Sequence, residues 1–286
     1  MKKSALATVA ALAILGGPAI AFADDAPAAP AAASAPAAAA PASPITFNIG
    51  VVSDYRYRGL TQTMFKPALQ GGIDYAQGPV YFGTWLSTIK WVKDATTLYN
   101  RNGEAAATEE APFTPVPEKG APAEWDIYGG TRGDVIKDSL TYDVGILGYI
   151  YLGEKFNTIG SPSPNTGEVY GSLTYGVFTA KVSITGTNLF GFRDSKGSQY
   201  YDLSANFDLG SGFTLTPDAG YQAITGSANK GFSYGDYSLT LGKDFGSGFS
   251  ASLQVIATDA KKEDYQTSNG KFTGRTGVVA GVKYSF

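Results

Sequence analysis

The sequence predicts an all-β protein, a closed antiparallel transmembrane β-barrel of about twelve strands with short turns at one end and long loops at the other. Three observations predict it: strands with one apolar face, connections that alternate between long and short, and an export signal at the N-terminus. The last strand, 276–286, has small or polar residues on one face except at Val279. Its apolar face carries Thr276, Val278, Ala280, Val282 and Tyr284. Such a strand can contact lipid on one side and water on the other.

Residues 1–23 have the features of a secretory signal peptide. Lys2 and Lys3 supply the positive start, 5–15 form a short apolar run, and Ala21-Phe22-Ala23 is a small-x-small cleavage site. A single membrane anchor fits less well, because the run is shorter than the ~20 residues that a spanning helix needs. We therefore expect export through a cleaved signal peptide and a place in the cell outer membrane of a Gram-negative bacterium.

Residues 24–44 are rich in Ala and Pro, and repeated Pro prevents a stable helix. We expect a disordered linker there, either a periplasmic tether or a solvated spacer. The barrel itself is then predicted to span 45–286.

Twelve stretches from residue 46 onward have apolar residues at alternate positions. Tight turns are predicted at 77–79, 176, 210–212 and 246–248, where Gly or Pro occurs. An even strand number with long and short connections in alternation places both chain ends on the periplasmic side. The strands of a secreted β-sandwich or solenoid also have apolar residues at alternate positions, but their connections need not alternate between long and short. The predicted strands are 46–58, 67–76, 80–91, 124–132, 140–152, 167–175, 177–187, 199–209, 213–222, 235–245, 249–258 and 276–286.

The composition excludes several kinds of chemistry. The chain has no His and no Cys, which removes Ser-His-Asp catalysis, His-ligated metal sites and disulfides. It has 22 basic and 25 acidic residues, so losing Lys2 and Lys3 leaves a net charge of 20 minus 25, or −5. The sequence has no basic patch of the kind that indicates a nucleic-acid partner. We expect no catalytic residues, no cofactor and no metal.

The face opposite the apolar one should line the barrel interior, although Trp85 and Leu86 compete for the outward face of the third strand. Charged residues there can line a water-filled path or pair across the lumen and close it. Acids outnumber bases in this set, which favours cations. The predicted lumen-lining residues are Asp54, Arg56, Arg58, Asp74, Asp126, Arg132, Asp143, Lys181, Asp202, Asp218 and Asp236.

Three features have two interpretations each. Asp54-x-Arg56-x-Arg58, on the first predicted strand, is either an ion-pair ladder that holds the strands in register or a selective constriction. The connection 92–122 either folds inward or is a mobile surface loop. Aromatic residues at strand ends fit an interfacial belt better than a ligand-stacking site. They are Trp125, Tyr175, Phe178, Phe207, Phe213, Phe245, Phe249, Tyr284 and Phe286.

The segment from Val52 to Thr63, with Asp54-Tyr-Arg56-Tyr-Arg58-Gly59, and the segment from Pro67 to Tyr75 resemble the opening of the TorF family of porins in proteobacteria. The resemblance covers about 45–286 and implies a channel in the outer membrane. The chain end also resembles the signal by which bacterial outer-membrane barrels are assembled, with Tyr284 and Phe286 as its aromatic residues. The partners implied are outer-membrane lipids and the barrel assembly machinery.

We expect a porin-like channel that allows passive diffusion of small hydrophilic solutes or ions through a polar, charged lumen. The alternative is a structural or surface-interaction barrel with a plugged lumen, which binds partners through its outer loops. An outer-membrane enzyme is disfavoured, because no Ser lies beside an obvious base.

Overall fold

A computed structural model describes residues 43–95, 120–267 and 270–286. The predicted signal peptide and nearly all of the predicted linker, as well as most of the 92–122 connection, lie outside these residues. The strands are β1 Ile45–Val52, β2 Arg56–Tyr57, β3 Leu60–Thr61, β4 Ala68–Gln77, β5 Val80–Thr88, β6 Ala123–Ile136, β7 Leu140–Tyr151, β8 Thr166–Tyr175, β9 Phe178–Thr185, β10 Gln199–Ala205, β11 Phe207–Gly210, β12 Phe213–Ala223, β13 Tyr234–Gly246, β14 Phe249–Thr258 and β15 Gly277–Ser285.

All strands except β2 and β3 form one antiparallel sheet that closes on itself. β1 pairs with both β4 and β15, and β12 pairs with both β10 and β13. β11 continues β10 after a break at Asn206 and pairs with β12, so the two count as one strand of the barrel wall. The predicted closed barrel of twelve strands is confirmed.

The connections differ in length between the two ends of the barrel. At the turn end, which also holds Ile45 and Phe286, tight connections follow β4, β6, β8, β11 and β13. The connection from β11 to β12 is very tight, with positive φ at Gly210, Ser211 and Gly212. At the loop end the connections are long and contain 3₁₀-helices at Phe156–Ile159 and Ser227–Phe232 and a helical turn at 91–95. No helix within the described ranges is long and apolar enough to cross a membrane.

The outer surface of the wall is apolar. Ile45, Phe47, Ile49 and Val51 are exposed at alternate positions of β1, whereas Val52 is buried. In β5, Leu86 points outward and Trp85 is buried inside, which resolves the ambiguity of the sequence. A period of two residues therefore separates an apolar outer face from a mixed interior.

The predicted aromatic belt lies mainly at one end. Exposed aromatic rings flank the tight turns and the chain terminus at the turn end, while Trp125 lies near the loop end of β6 and donates to Thr84. The exposed members are Tyr175, Phe178, Phe207, Phe213, Phe245, Phe249 and Phe286.

The prediction of a first strand at 46–58 is wrong in its second half. β1 ends at Val52, and Tyr55 and Tyr57, which continue the outward alternation in the sequence, are buried. The third predicted strand, 80–91, also ends early, at Thr88, because the chain turns into the helical turn at 91–95. The other strand boundaries differ by only a few residues.

Candidate functional site

The chain between β1 and β4 folds into the barrel interior, and we call residues 53–67 the crossing segment. It contains the short hairpin of β2 and β3, in which Arg56 pairs with Thr61 and Tyr57 with Leu60. Arg58 and Gly59 form its tip, with φ of 45° and 77°. A Cβ on Gly59 would lie 2.2 Å from Thr258 Cγ2 of the wall, so only glycine fits there without movement.

Asp54 organises the crossing segment from within. Its carboxylate accepts hydrogen bonds from Arg56 Nε at 2.6 Å, Thr61 Oγ1 at 2.5 Å and Thr63 Oγ1 at 3.0 Å. Arg56 Nη1 in turn donates to the carbonyl oxygens of Gly59 and Arg275. Asp54 and Arg56 therefore fold the segment into a compact unit and attach it to the connection that precedes β15.

The tip of the segment reaches the opposite side of the barrel. Arg58 Nη2 donates to Glu168 Oε2 of β8 at 2.8 Å, and Nη1 donates to Gln222 Oε1 of β12 at 2.6 Å. Its guanidinium lies 4.2 Å from the ring centroid of Tyr200 in β10. In the order of strands around the ring, β8 is next to β9, the strand opposite β1, so the segment spans the lumen.

Two tyrosines attach the segment to a second part of the wall. The Tyr55 hydroxyl donates to Glu124 of β6 at 2.6 Å, and the hydroxyls of Tyr57 and Tyr149 are 2.6 Å apart. With Arg58, these contacts join the segment to β6, β7, β8 and β12. Outward-facing tyrosines could not make such bonds, which is the physical reason that both rings are inside.

The interior around the segment, near the loop end, is largely closed to solvent, and we call it the dry half. Arg58 is 1% exposed, Glu168 4% and Asp126 0%. Both carboxylate oxygens of Asp126 are buried and, among the described residues, have no hydrogen-bond partner. Burying an uncompensated carboxylate is costly, so Asp126 is a destabilising feature of this half of the barrel.

The interior near the turn end, which we call the open half, is more exposed to solvent and carries charges of both signs. Arg132 lies opposite Asp143 in the register of β6 and β7, and Lys181 lies opposite Asp202 in that of β9 and β10. These four side chains and Asp218 are half-buried. Opposite charges on facing strands stabilise the wall and leave polar groups beside the lumen.

Tyrosines divide the two halves of the interior. Tyr128 donates to Asp74, and Tyr81 donates to Asp143 and is also hydrogen-bonded to Tyr170. The rings extend inward from the wall and narrow the lumen between the dry half and the open half.

Apart from Asp74, the predicted lumen residues fall into three groups. Asp74 lies on β4 and accepts a hydrogen bond from Tyr128, not from either arginine. Asp54, Arg56 and Arg58 lie on the crossing segment, not on a wall strand. Asp126 and Asp236 are buried in the wall of the dry half, where Asp236 accepts from Tyr200 at 3.0 Å. The remaining residues, Arg132, Asp143, Lys181, Asp202 and Asp218, are in the open half.

Sequence reasoning missed Glu124, Tyr55 and Tyr57 as interior groups. Glu124 lies at the start of a strand, where too few alternating residues are present to show whether its side chain points inward or outward. The two tyrosines keep the parity of the lipid-facing residues before them, and only Gly59 could have indicated a turn.

The predicted assembly residues lie at the seam between the first and last strands. Phe286 stacks on Phe47 with ring centroids 5.6 Å apart, and Tyr284 stacks on Phe286 at 5.3 Å. Tyr284 is half-buried and Phe286 is exposed. Their part in assembly stays a prediction.

No cluster of three or more acidic side chains within 43–95, 120–267 and 270–286 has a geometry that could hold a metal ion. In the loop before β15, outside the strands of the barrel, burial raises the pKa of the Tyr265 hydroxyl, and the nearby Asp264 adds to the shift. Tyr265 is therefore neutral at physiological pH and acts as a donor, to the carbonyl oxygen of Phe232.

A family model described as "Bacterial protein of unknown function (Gcw_chp)" matches residues 37–286. Comparison with curated protein sequences gives no match.

Several solved structures resemble the chain. "KdgM porin in complex with disordered oligogalacturonate" has 7% sequence identity and a TM-score of 0.47, covering 85% of this chain and 98% of its own. The NanC porin has 10% identity with the same TM-score and coverages. OccAB3 from Acinetobacter baumannii has 12% identity and a TM-score of 0.39, covering 82% of this chain and 59% of its own. These values are too low to transfer a function.

Proposed function

This chain belongs to the Gcw_chp family of bacterial proteins of unknown function, and we propose that it is a porin-like channel for passive diffusion of small hydrophilic solutes or ions. One observation carries the proposal: a closed barrel with an apolar outer face encloses an interior of charged and hydroxyl side chains. Such a barrel offers polar solutes a path across lipid. The resemblance to the TorF porins agrees with this role.

The proposed location is the outer membrane of a Gram-negative cell. The predicted signal peptide at 1–23 supports export, and the exposed apolar wall supports insertion in lipid. The turn end would face the periplasm, and the aromatic pair Tyr284 and Phe286 would be recognised by the barrel assembly machinery. The 24–44 segment would be a linker on the periplasmic side.

The narrowest part of the proposed path is the crossing segment. Because Arg58 and its partners are almost completely buried, a solute must pass beside this segment or displace it. We expect small unitary conductance from the native protein, with a preference for cations because acids outnumber bases in the interior. Anion preference in asymmetric salt would overturn the cation assignment.

The test is conductance of the mature protein in a planar lipid bilayer, compared with the double variant Arg58→Ala/Glu168→Ala. The double variant removes both members of the ion pair, so it leaves neither charge buried alone. We expect the native protein to give small steps and the variant to give steps several-fold larger. Lys90→Ala/Asp94→Ala removes an ion pair that lies off the crossing segment, so it is the matched control and should conduct like the native protein.

The second candidate is a structural or surface-interaction barrel with a plugged lumen. The bridge from Arg58 to both Glu168 and Gln222 favours it, because that bridge closes the loop-end half. Silence of correctly folded native and double-variant barrels over a range of voltages would select this candidate and reject the channel. Neither candidate is an enzyme.

A further inference from the structure

A cavity of about 460 Å³ lies between the crossing segment and the loop-end connections, and we call it the loop-end cavity. Tyr57 and Arg58 of the crossing segment line one side of it. Trp91, Phe156, Leu189 and Tyr265 line it from four other parts of the chain. Its volume is within the range of about 300–1,000 Å³ that is typical of small-molecule sites.

The walls of the loop-end cavity are mostly apolar and aromatic. Trp91 packs edge-on against Tyr151 and Phe156, with ring centroids 5.1 and 5.8 Å apart. Phe190 packs edge-on against Tyr57 at 5.5 Å, and Leu189 is buried. A path for hydrophilic solutes gains nothing from such walls, whereas an apolar concavity on an otherwise polar surface is typical of a ligand site.

The indole N–H of Trp91 in this wall has no acceptor among the described residues. The Trp91 Nε1 atom is buried, and no acceptor within the described part of the chain receives its hydrogen. An indole N–H can only donate, and buried donors are nearly always paired. A ligand with an acceptor oxygen near Trp91 would satisfy this group.

The charges around the cavity disfavour an anionic ligand, and its mostly apolar walls offer little to any charged one. Arg58 is already bonded to Glu168 and Gln222, and Asp94 is paired with Lys90. Asp264 also lines the cavity and would repel an anion. The walls therefore suit a neutral molecule.

We propose that the loop-end cavity binds an uncharged, mainly apolar small molecule whose carbonyl or ether oxygen accepts a hydrogen bond from Trp91 Nε1. Binding at this cavity needs neither passage through the lumen nor displacement of the crossing segment. The proposal is therefore independent of the channel and can hold if the barrel does not conduct.

Photolabelling with benzophenone tests the proposal, because this probe is neutral, has two aromatic rings and one carbonyl, and bonds to nearby C–H groups when irradiated. The mature protein in lipid nanodiscs is labelled over a range of probe concentrations and the labelled residues are identified by mass spectrometry. We expect saturable labelling of cavity residues such as Met64 and Phe190. The lipid-facing Leu203 serves as an internal reference for partitioning into lipid.

Two variants separate shape from hydrogen bonding. Leu189→Trp fills the cavity and should lower cavity labelling at least about tenfold. Trp91→Phe keeps the aromatic wall but removes the donor, and should weaken apparent affinity about three- to tenfold, the usual value of one hydrogen bond. Both variants should leave labelling of Leu203 unchanged, and heat-modifiable gel mobility verifies that each has folded.

The anionic analogue 4-benzoylbenzoate should label the cavity more weakly than benzophenone. Labelling confined to lipid-facing residues, or cavity labelling equal in the native protein and Trp91→Phe, would overturn the proposal. If Leu189→Trp does not fold, Trp91→Phe and the anionic analogue still decide the matter.

Discussion

Arg58 and Asp126 are buried ionisable residues in the same half of the barrel with opposite contributions to stability. Arg58 has a carboxylate, an amide oxygen and an aromatic ring around its guanidinium. Asp126 has no hydrogen-bond partner among the described residues. A buried charge stabilises a fold only when other groups replace the water that it loses.

The two residues therefore predict opposite effects of replacing a buried carboxyl group by an amide. Glu168→Gln leaves the Arg58 charge without its counter-charge and should lower the free energy of unfolding by about 3 kcal/mol. Asp126→Asn removes, at constant shape, an ionisable group that has no hydrogen-bond partner among the described residues, and should leave the stability unchanged or raise it. Urea midpoints of the two variants in lipid vesicles measure this. A loss above about 1 kcal/mol in Asp126→Asn would contradict the interpretation of this residue.

At the scale of elements, the crossing segment decides how wide the lumen is. β1 ends where Val52 has paired with both Ala68 and Gly281, and the chain then turns inward. The inward path depends on the positive φ of Arg58 and Gly59 and on close contact of Gly59 with the wall. A small backbone change at this tip should therefore move the whole segment.

Gly59→Ala is the change that tests this. Its Cβ would lie 2.2 Å from Thr258 Cγ2 and 2.8 Å from Asp236 Cβ, so the tip must leave its site. We expect trypsin to cleave after Arg56 or Arg58, which are protected in the native protein, and single-channel conductance to rise.

Gly78→Ala is the matched control for Gly59→Ala. Gly78 also has a positive φ, of 59°, but a Cβ there would meet nothing within 4 Å. Gly78→Ala therefore carries only the backbone cost of a positive φ, of about 1–2 kcal/mol. Equal trypsin sensitivity of the two variants would show that the contact of Gly59 with the wall does not hold the segment.

For the whole molecule, the seam between β1 and β15 closes the ring. The backbones of Phe47 and Phe286 exchange two hydrogen bonds, of 2.8 and 3.0 Å, and their rings stack. The first and last strands of the barrel thus meet at the turn end, and the ring of Phe286 helps to close the wall.

Phe286→Ala should therefore reduce barrel closure more than an equal change elsewhere. Phe245 is the matched control, because it is also an aromatic residue at the turn end with 64% exposure, but it is not on the seam. Loss of the stacked pair is worth about 0.5–1.5 kcal/mol, or about two- to tenfold in the ratio of folded to unfolded protein. Heat-modifiable gel mobility after refolding measures this ratio. Equal losses in Phe286→Ala and Phe245→Ala would remove the special role of the seam.

The sequence alone determined the wall of this barrel. The two-residue period of strands such as 276–286, together with turns such as 210–212, depends on local geometry and is visible in any short window. These patterns predicted the strand number, the outward face and the alternation of short and long connections.

Only the tertiary structure decided what fills the interior. Tyr55 and Tyr57 have the parity of lipid-facing residues, and an apolar ring is equally stable against lipid or within a packed lumen. Their place was decided when ring closure brought Glu124, Glu168 and Gln222 within reach of one segment. Such contacts join residues up to 164 positions apart, as in the bond from Arg58 to Gln222, and no local pattern specifies them.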